Sequence, residues 1–399
     1  MQPADSGLRI RAVMPFHNSN NKKGMPMGEL DLSALDRRLS LSEKVRILYG
    51  IVNTRFPFVE HISVAIYERE TDYVRAFLDS NTDKPVLSHY RARLADAPGL
   101  KQILESGKPR VIEDLRPAGS NGKQHTLRLI AAGFRSSYTI PIFFNDVCYG
   151  FVFFNSRQTN QFTEAAVAHL DPLARLLAMF VVTELRSIYK LTAATKTVKH
   201  ITARRDCETG AHLERMSRYA RLIANDIANQ HELTDEYIEH LFLFAPLHDI
   251  GKIAIPDSIL LKPGRLSPDE FQFMKSHTTK GLDMIDYLLK AFDLQQMPYV
   301  EILRNIVLHH HEAVNGEGYP DGLRQDDIPI EARVVTTADI FDALTSRRPY
   351  KEAWTNEHAF DELEKLSGSK LDGNCVAALL RHRDELVELQ HQYRESAYG

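Results

Sequence analysis

A chain of 399 residues, 43% hydrophobic and 26% charged, is long enough for two or three cores and too rich in apolar residues to stay disordered. Its 49 Lys and Arg against 53 Asp and Glu leave a formal charge of -4, which removes the electrostatic footprint of a nucleic-acid polymer binder or a polybasic membrane anchor. Cys148, Cys207 and Cys375 form no CxxC and no even set, so a disulfide framework is excluded and a reducing, cytoplasmic setting is expected.

Residues 1–29 carry Asn18, Asn20, Asn21, Lys22 and Lys23 with no periodic apolar face, and are expected to form a flexible tail. No uninterrupted apolar core of a secretory signal follows. The run at 170–182 is broken by Asp171 and Arg175, so no membrane span is expected. Over 42–53, Val45, Ile47, Leu48, Ile51 and Val52 predict an amphipathic helix, and HISVAIYE at 61–68 predicts a strand. Further strands are predicted at 73–78, 136–144 and 147–155, the last two joined by Asn145-Asp146 as a tight hairpin, with helices at 100–106 and 164–185. This order describes an α+β domain of sensor size, an antiparallel sheet covered by helices, ending near 185.

Residues 174–202 lack Pro and Gly, and Leu176, Leu177, Phe180, Val181, Leu185, Ile188 and Leu191 recur at helical spacing, which predicts one continuous connector helix. It reads either as the last helix of the first domain or as a signalling helix that docks on a second copy of the chain. Beyond 205 the pattern is almost wholly helical. Leu213, Met216, Ala220, Ile223 and Ile227 mark one helix, and Thr234 caps a second carrying Ile238, Leu241, Leu243 and Phe244. Ser267-Pro268-Asp269-Glu270 forms a capping box with Pro at the first helical position, and later helices are predicted at 299–310, 330–345, 358–365 and 376–389.

Eleven of the 17 His lie after residue 200, the supply that metal or proton chemistry requires. His248-Asp249-Ile250-Gly251-Lys252 ends an apolar helix; such a pair alone is more often a capped helix end than a ligand set. Glu208 and His212, at i and i+4, share one helical face, which alone is a surface ion pair. Downstream come His277, then His309-His310-His311-Glu312 leading to Gly316-Glu317-Gly318-Tyr319-Pro320, then Asp339-Ile340-Phe341-Asp342. Burying so many ionisable groups without a cation would cost several kcal/mol per unpaired charge. Imidazole and carboxylate without thiolate suit Fe, Mn or Zn, and closely spaced cations suit in-line attack on a phosphodiester.

The order ETGAH, HDIGK, KSHT, HHEAVNGEGYP, ADIFDALTS and RRPYKEAW resembles the HD-GYP group of the HD phosphohydrolases over about residues 200–390. The resemblance implies a metal-dependent phosphodiesterase that hydrolyses cyclic di-GMP to pGpG, GMP or both through a metal-activated hydroxide. It implies Glu208, His212, His248, Asp249, His277, His310, His311 and Asp339 as ligands of two or three divalent ions, Fe or Mn, with Asp249 bridging and Glu208 admitting the third. Lys252 is implied at the scissile phosphate with Asp342 as its partner, Arg348 and Lys351 as phosphate anchors with Arg347 competing for that place, and Tyr319 near a guanine or ribose. His309 is left without a duty. Leu371-Asp372-Gly373 stands where the group often has an FDP-like triplet, outside the ligand set. Other readings are a hydrolase of another cyclic dinucleotide, such as cyclic GMP-AMP, or a non-catalytic module that binds cyclic di-GMP or a protein.

Gly107-Lys108-Pro109-Arg110-Val111-Ile112-Glu113-Asp114 and Gly133-Phe134-Arg135-Ser136-Ser137-Tyr138-Thr139-Ile140-Pro141-Ile142 make residues 30–185 similar to a GAF domain. That resemblance implies a sensing or dimerising role for a small ligand the sequence does not identify; no NKFDE-like signature is present, and Cys148, His125 and His169 read as structural. The expected organisation is therefore multidomain: an α+β GAF domain at 30–185, a connector helix at 186–204 and an all-α HD-GYP domain at 205–399, pairing as a homodimer through GAF and connector.

Overall fold

Ser40 opens the first helix, α1 (Leu41–Arg55), with a reciprocal cap in which its side chain accepts from Glu43 N and Glu43 answers at Ser40 N. The computed structural model describes residues 31–81, 85–119, 124–201, 209–346 and 352–394. The strands and helices that follow are β1 (His61–Glu68), β2 (Tyr73–Asp79), β3 (Arg91–Arg93), α2 (Pro98–Ser106), β4 (Arg110–Ile112), α3 (Leu115–Gly119), α4 (Gln124–Ala131), β5 (Ser136–Phe144) and β6 (Val147–Ser156). They form one antiparallel sheet in the order β3-β2-β1-β6-β5-β4. Asn145 and Asp146, at φ 48° and 60°, make the predicted tight turn between β5 and β6. The short edge strands β3 and β4, three residues each, escaped the sequence pattern because neither is long enough to show a period of two.

Alternation in β6 sorts the two faces of the sheet. Val152 and Phe154 join the core under α1, while Phe151 packs with Val74, Leu94 and Ile103 on the α2 side. The first face is covered by α1 and by α5 (Glu164–Ile201), a helix of 38 residues that runs past 185 without a break. By length and composition, Glu164–Thr195 is also apolar enough to cross a membrane. One face of it, with Leu170, Leu177, Val181, Leu185, Ile188 and Leu191, is buried in the core of this chain. The first half of α5 lies on the sheet and the second on α7 and the turns around His248. These leucines therefore pack within the chain, as the last helix of the first domain would.

The second half is helical among the described residues, apart from two isolated bridges. Its helices are α6 (Gly210–His231), α7 (Asp235–Phe244), α8 (Asp257–Leu260), α9 (Pro268–Lys275), α10 (His277–Ala291), α11 (Val300–His309), α12 (Ile330–Thr345), α13 (Asn356–Leu366), α14 (Gly373–Arg381) and α15 (Arg383–Gln392). Helix α6 is the axis, buried along Leu213, Met216, Ala220 and Ile223 and wrapped by α7, α12, α14 and α15. Phe341 is fully buried between Tyr219 and Phe360, at ring distances of 5.3 and 5.5 Å, and pins α12 against α6. The single helix predicted at 376–389 is two, α14 and α15. His382, at φ −104°, breaks it because its ring is drawn to Glu385 at 2.9 Å and to Asp226 on α6 at 3.2 Å, a tertiary tie that overrides local propensity.

Candidate metal centre

Five short segments deliver the candidate ligands to one place. His212 stands in the first turn of α6, which Thr209 caps by accepting from His212 N at 3.2 Å. His248 and Asp249 lie between the 3-10 turns Ala245–Leu247 and Ile250–Ala254 that follow α7. His277 opens α10, His310 and His311 follow the end of α11, and Asp339 lies on α12. Gly251 brings two of these segments together: a Cβ there would lie 1.8 Å from His277 O and 2.6 Å from Gly281 N, so only glycine lets α10 rest on the His248-Asp249 turn.

The donor atoms form two adjoining groups, Asp249 with His277, His310 and His311, and His212 with His248 and Asp339, each group within 4.8 Å. Asp249 joins them. Its Oδ1 faces His277 Nε2 at 3.1 Å and His310 Nε2 at 3.5 Å, while its Oδ2 faces His248 Nε2 at 3.1 Å and Lys252 Nζ at 2.6 Å.

The imidazoles are held by their other nitrogen. Nδ1 donates to Ala245 O in His248 (3.0 Å), to Met274 O in His277 (2.8 Å) and to Ile306 O in His310 (2.9 Å). His212 Nδ1 donates to Asp342 Oδ2 at 2.7 Å. In the tautomer these bonds fix, the Nε2 lone pairs point inward, as metal-binding histidines with an outer-shell acceptor do. His277 and His310 then meet Asp249 Oδ1 as acceptor against acceptor, and neither that oxygen nor His212 Nε2 has a hydrogen bond although both are buried. A buried convergence of lone pairs is what a divalent cation satisfies, so the residues present fit a metal.

Electrostatics favour the deprotonated form at Asp249, His310 and His311. Burial pushes the Asp249 carboxyl up, but the Lys252 charge, with the adjoining imidazoles, outweighs it and holds it well below the ordinary range. Burial lowers His310, and burial with the neighbouring His310 lowers His311 further. Metal ligation requires these forms at neutral pH.

The loop after His311 builds one wall. Glu312, buried, accepts from the backbone N–H of Asp321 (2.8 Å), Gly322 (3.1 Å) and Leu323 (3.0 Å). Gly316 takes φ 80°, and a Cβ on Gly318 would strike Ala313 N at 2.3 Å. The fold-back lays the Tyr319 ring on His311, with centroids 4.7 Å apart, and Lys275 Nζ reaches the same ring from 5.3 Å. Burial, then the Asp249 charge, raises the Tyr319 phenol, so it stays protonated and able to donate.

Of the residues singled out in the sequence, His212, His248, Asp249, Lys252, His277, His310, His311, Tyr319 and Asp339 are thus gathered together. Glu208, Arg347, Arg348 and Lys351 lie outside the described residues. The expected pairing of Lys252 with Asp342 is corrected: Lys252 sits on Asp249, and Asp342, fully buried, is taken by His212, by Arg215 (2.7 and 2.9 Å) and by Ser346 (2.9 Å). His309 is buried beside Glu312 with Nδ1 3.7 Å from Asp321 Oδ2, away from the two groups. Sequence reasoning passed over Arg215 and Glu312. The signal for Arg215 was its i+3 spacing from His212, and for Glu312 a carboxylate followed by a glycine-rich turn.

A family model described as GAF domain matches residues 39–182, and one described as HD domain matches residues 206–375. The chain joins a GAF domain to an HD domain. The candidate ligands all fall within the residues that the HD domain model matches. Over 219 residues the chain is 42% identical to the cyclic di-GMP phosphodiesterase response regulator RpfG of Xanthomonas campestris pv. campestris (strain 8004), covering 55% of this chain and 54% of that protein. It is 40% identical over 191 residues to a cyclic di-GMP phosphodiesterase of Thermotoga maritima, 48% of this chain and 49% of that one. It is 36% identical over 186 residues to 3'3'-cGAMP-specific phosphodiesterase 2 of Vibrio cholerae serotype O1, 47% of this chain and 34% of that one. The chain spans about half or less of the length of these curated relatives.

Proposed function

We propose that the HD domain is a metal-dependent phosphodiesterase that opens cyclic di-GMP to linear pGpG and can carry it on to GMP, under the influence of the GAF domain. The observation that carries this reading is the pair of His/carboxylate groups joined by Asp249, beside relatives named for that hydrolysis. Two divalent ions, or three where Glu208 contributes, with iron or manganese suited to such ligands, would supply Lewis-acid polarisation of the phosphodiester and an acidified water for attack.

The residues do the rest. Asp249 divides its two oxygens between the groups and so sets their spacing. Lys252 stands over Asp249 with 22% of its side chain exposed, a cation placed to meet a phosphate arriving from solvent. Tyr319, stacked on His311, offers a flat face and a phenolic donor to a guanine or ribose, and Arg348 and Lys351 anchor phosphates. Asp339, with 20% of its side chain exposed, lies where the second group meets solvent. A GAF ligand would act through α5, whose second half rests on the turns around His248. Pairing of two copies would use faces of α5 other than the buried one, such as that of exposed Met179 and Tyr189.

The named specificity of the Vibrio cholerae relative favours a second reading, hydrolysis of 3'3'-cGAMP. Anaerobically purified full-length chain loaded with Mn2+ or Fe2+ is offered cyclic di-GMP and 3'3'-cGAMP in parallel, and products are resolved by chromatography. Faster release of pGpG supports the first reading, and faster opening of cGAMP replaces it with the second. Tight binding with no product from either makes the domain a binding module.

A further inference from the structure

We propose that Arg215 is a positioning residue for this hydrolysis: it locks Asp342, and Asp342 in turn presents His212 to the metal centre. The proposal rests on the hydrolase reading only for its kinetic readout.

Arg215 lies one turn after His212 on α6 and is 5% exposed. Its fork takes both oxygens of Asp342, Nε donating to Oδ1 at 2.7 Å and Nη2 to Oδ2 at 2.9 Å. A planar guanidinium bound this way fixes the plane of the carboxylate as well as its place. Oδ2 also accepts from Ser346 Oγ at 2.9 Å and from His212 Nδ1 at 2.7 Å, and the latter bond sets the ring so that its unbonded Nε2 lies 3.6 Å from Asp339 Oδ1. Asp342 is fully buried on α12, so among the described residues Arg215, His212 and Ser346 align it in place of water.

Two further bonds of Arg215 go to structure. Nη2 also donates to Ser346 Oγ at 2.7 Å, at the end of α12, and Nη1 to Tyr393 O at 2.8 Å, after α15. One side chain therefore ties three helix ends to the orientation of a single imidazole. A lysine could supply the charge but not the fork.

The test compares full-length wild type with Arg215→Met, Arg215→Lys and Asp342→Asn, each checked by circular dichroism and gel filtration. Bound Mn2+ per chain is measured after equilibration at stepped free concentrations, together with kcat and KM for cyclic di-GMP. Arg215→Met and Asp342→Asn should weaken one class of Mn2+ site by about 10- to 100-fold, as loss of an outer-shell partner does, and lower kcat while KM stays within about threefold. Arg215→Lys should recover part of the metal affinity. Folded Arg215→Met with a wild-type Mn2+ isotherm overturns the proposal. Should Arg215→Met not fold, a wild-type isotherm in Arg215→Lys together with Asp342→Asn overturns it equally. If wild type binds Mn2+ but turns over no cyclic dinucleotide, the hydrolase reading fails while the isotherms still decide the role of Arg215.

Discussion

Changing Glu68 to Gln tests how the two domains are held together. Glu68 ends β1 in the GAF domain, yet its carboxylate lies among arginines of α6. Arg221 Nη2 donates to its two oxygens at 3.0 and 2.9 Å and Arg218 Nη2 at 3.3 Å, while Arg75 Nε (3.3 Å) and Thr71 Oγ1 (2.8 Å) donate from the GAF side. Only 12% of the side chain is exposed. Burial alone would raise its pKa, but Arg221, Arg75 and Arg218 bring it from 4.5 down to about 2. A carboxyl so displaced contributes about 3 kcal/mol at neutral pH. Because the folded value is the lower one, that contribution is complete above 4.5 and fades as pH falls toward 2, with more than half gone by about pH 3. Glu68→Gln should therefore unfold about 3 kcal/mol more easily in urea at pH 7, followed by circular dichroism. The gap to wild type should shrink steadily between pH 5 and about pH 3. Glu239, which shares Arg221, is held above its ordinary value by burial and then by the Glu68 charge; the variant relieves it of that charge, which trims the difference rather than adding to it. A gap below about 0.5 kcal/mol at pH 7, or one that does not change with pH, would refute this reasoning.

Gly251→Ala forces a Cβ into His277 O, and α10 must move; a loss of about 1 to 3 kcal/mol is expected with reduced metal per chain, and wild-type metal content in the folded variant would contradict the close approach. Glu312→Gln weakens three backbone hydrogen bonds and loosens the loop that carries Tyr319, so KM for the dinucleotide should rise while metal content holds; unchanged KM would free the loop of that role. Since burial keeps His310 and His311 below 6.5 in the folded chain, unfolding them takes up protons at low pH. Their contribution is thus lost as pH drops through 6.5, against the opposite one of His240 and His382, which their carboxylate partners raise; thermal melts of metal-free wild type and His311→Asn at pH 7.5 and 5.5 should show the wild type losing more.

Much of this fold was legible because its elements are long and locally marked. The strands at 61–68 and 136–144, the helix at 330–345 and the capping box at Ser267 are where their patterns put them. Helix α10 was not separated from α9, because Ser276 offers no side-chain cap and His277 begins the new helix directly. The ligand set was visible as His and Asp at motif spacing, whereas the partners that aim those ligands were not. Asp342 looked like a companion of Lys252 because both stand near ligands in sequence, and only α6 lying beside α12 shows that Arg215 claims it. Likewise no local pattern could have joined Glu68 to Arg221, 153 residues apart, since that contact exists only once β1 and α6 are both in place.

The most direct test of the central claim is the cyclic di-GMP turnover of Asp249→Asn set beside its metal content, since Asp249 is the residue that joins the two His/carboxylate groups. The account predicts a folded protein that has lost most of its bound metal and whose release of pGpG has fallen by at least about 100-fold, because removing this carboxylate unmakes both groups at once. Turnover at the wild-type rate, with metal per chain unchanged, would contradict it.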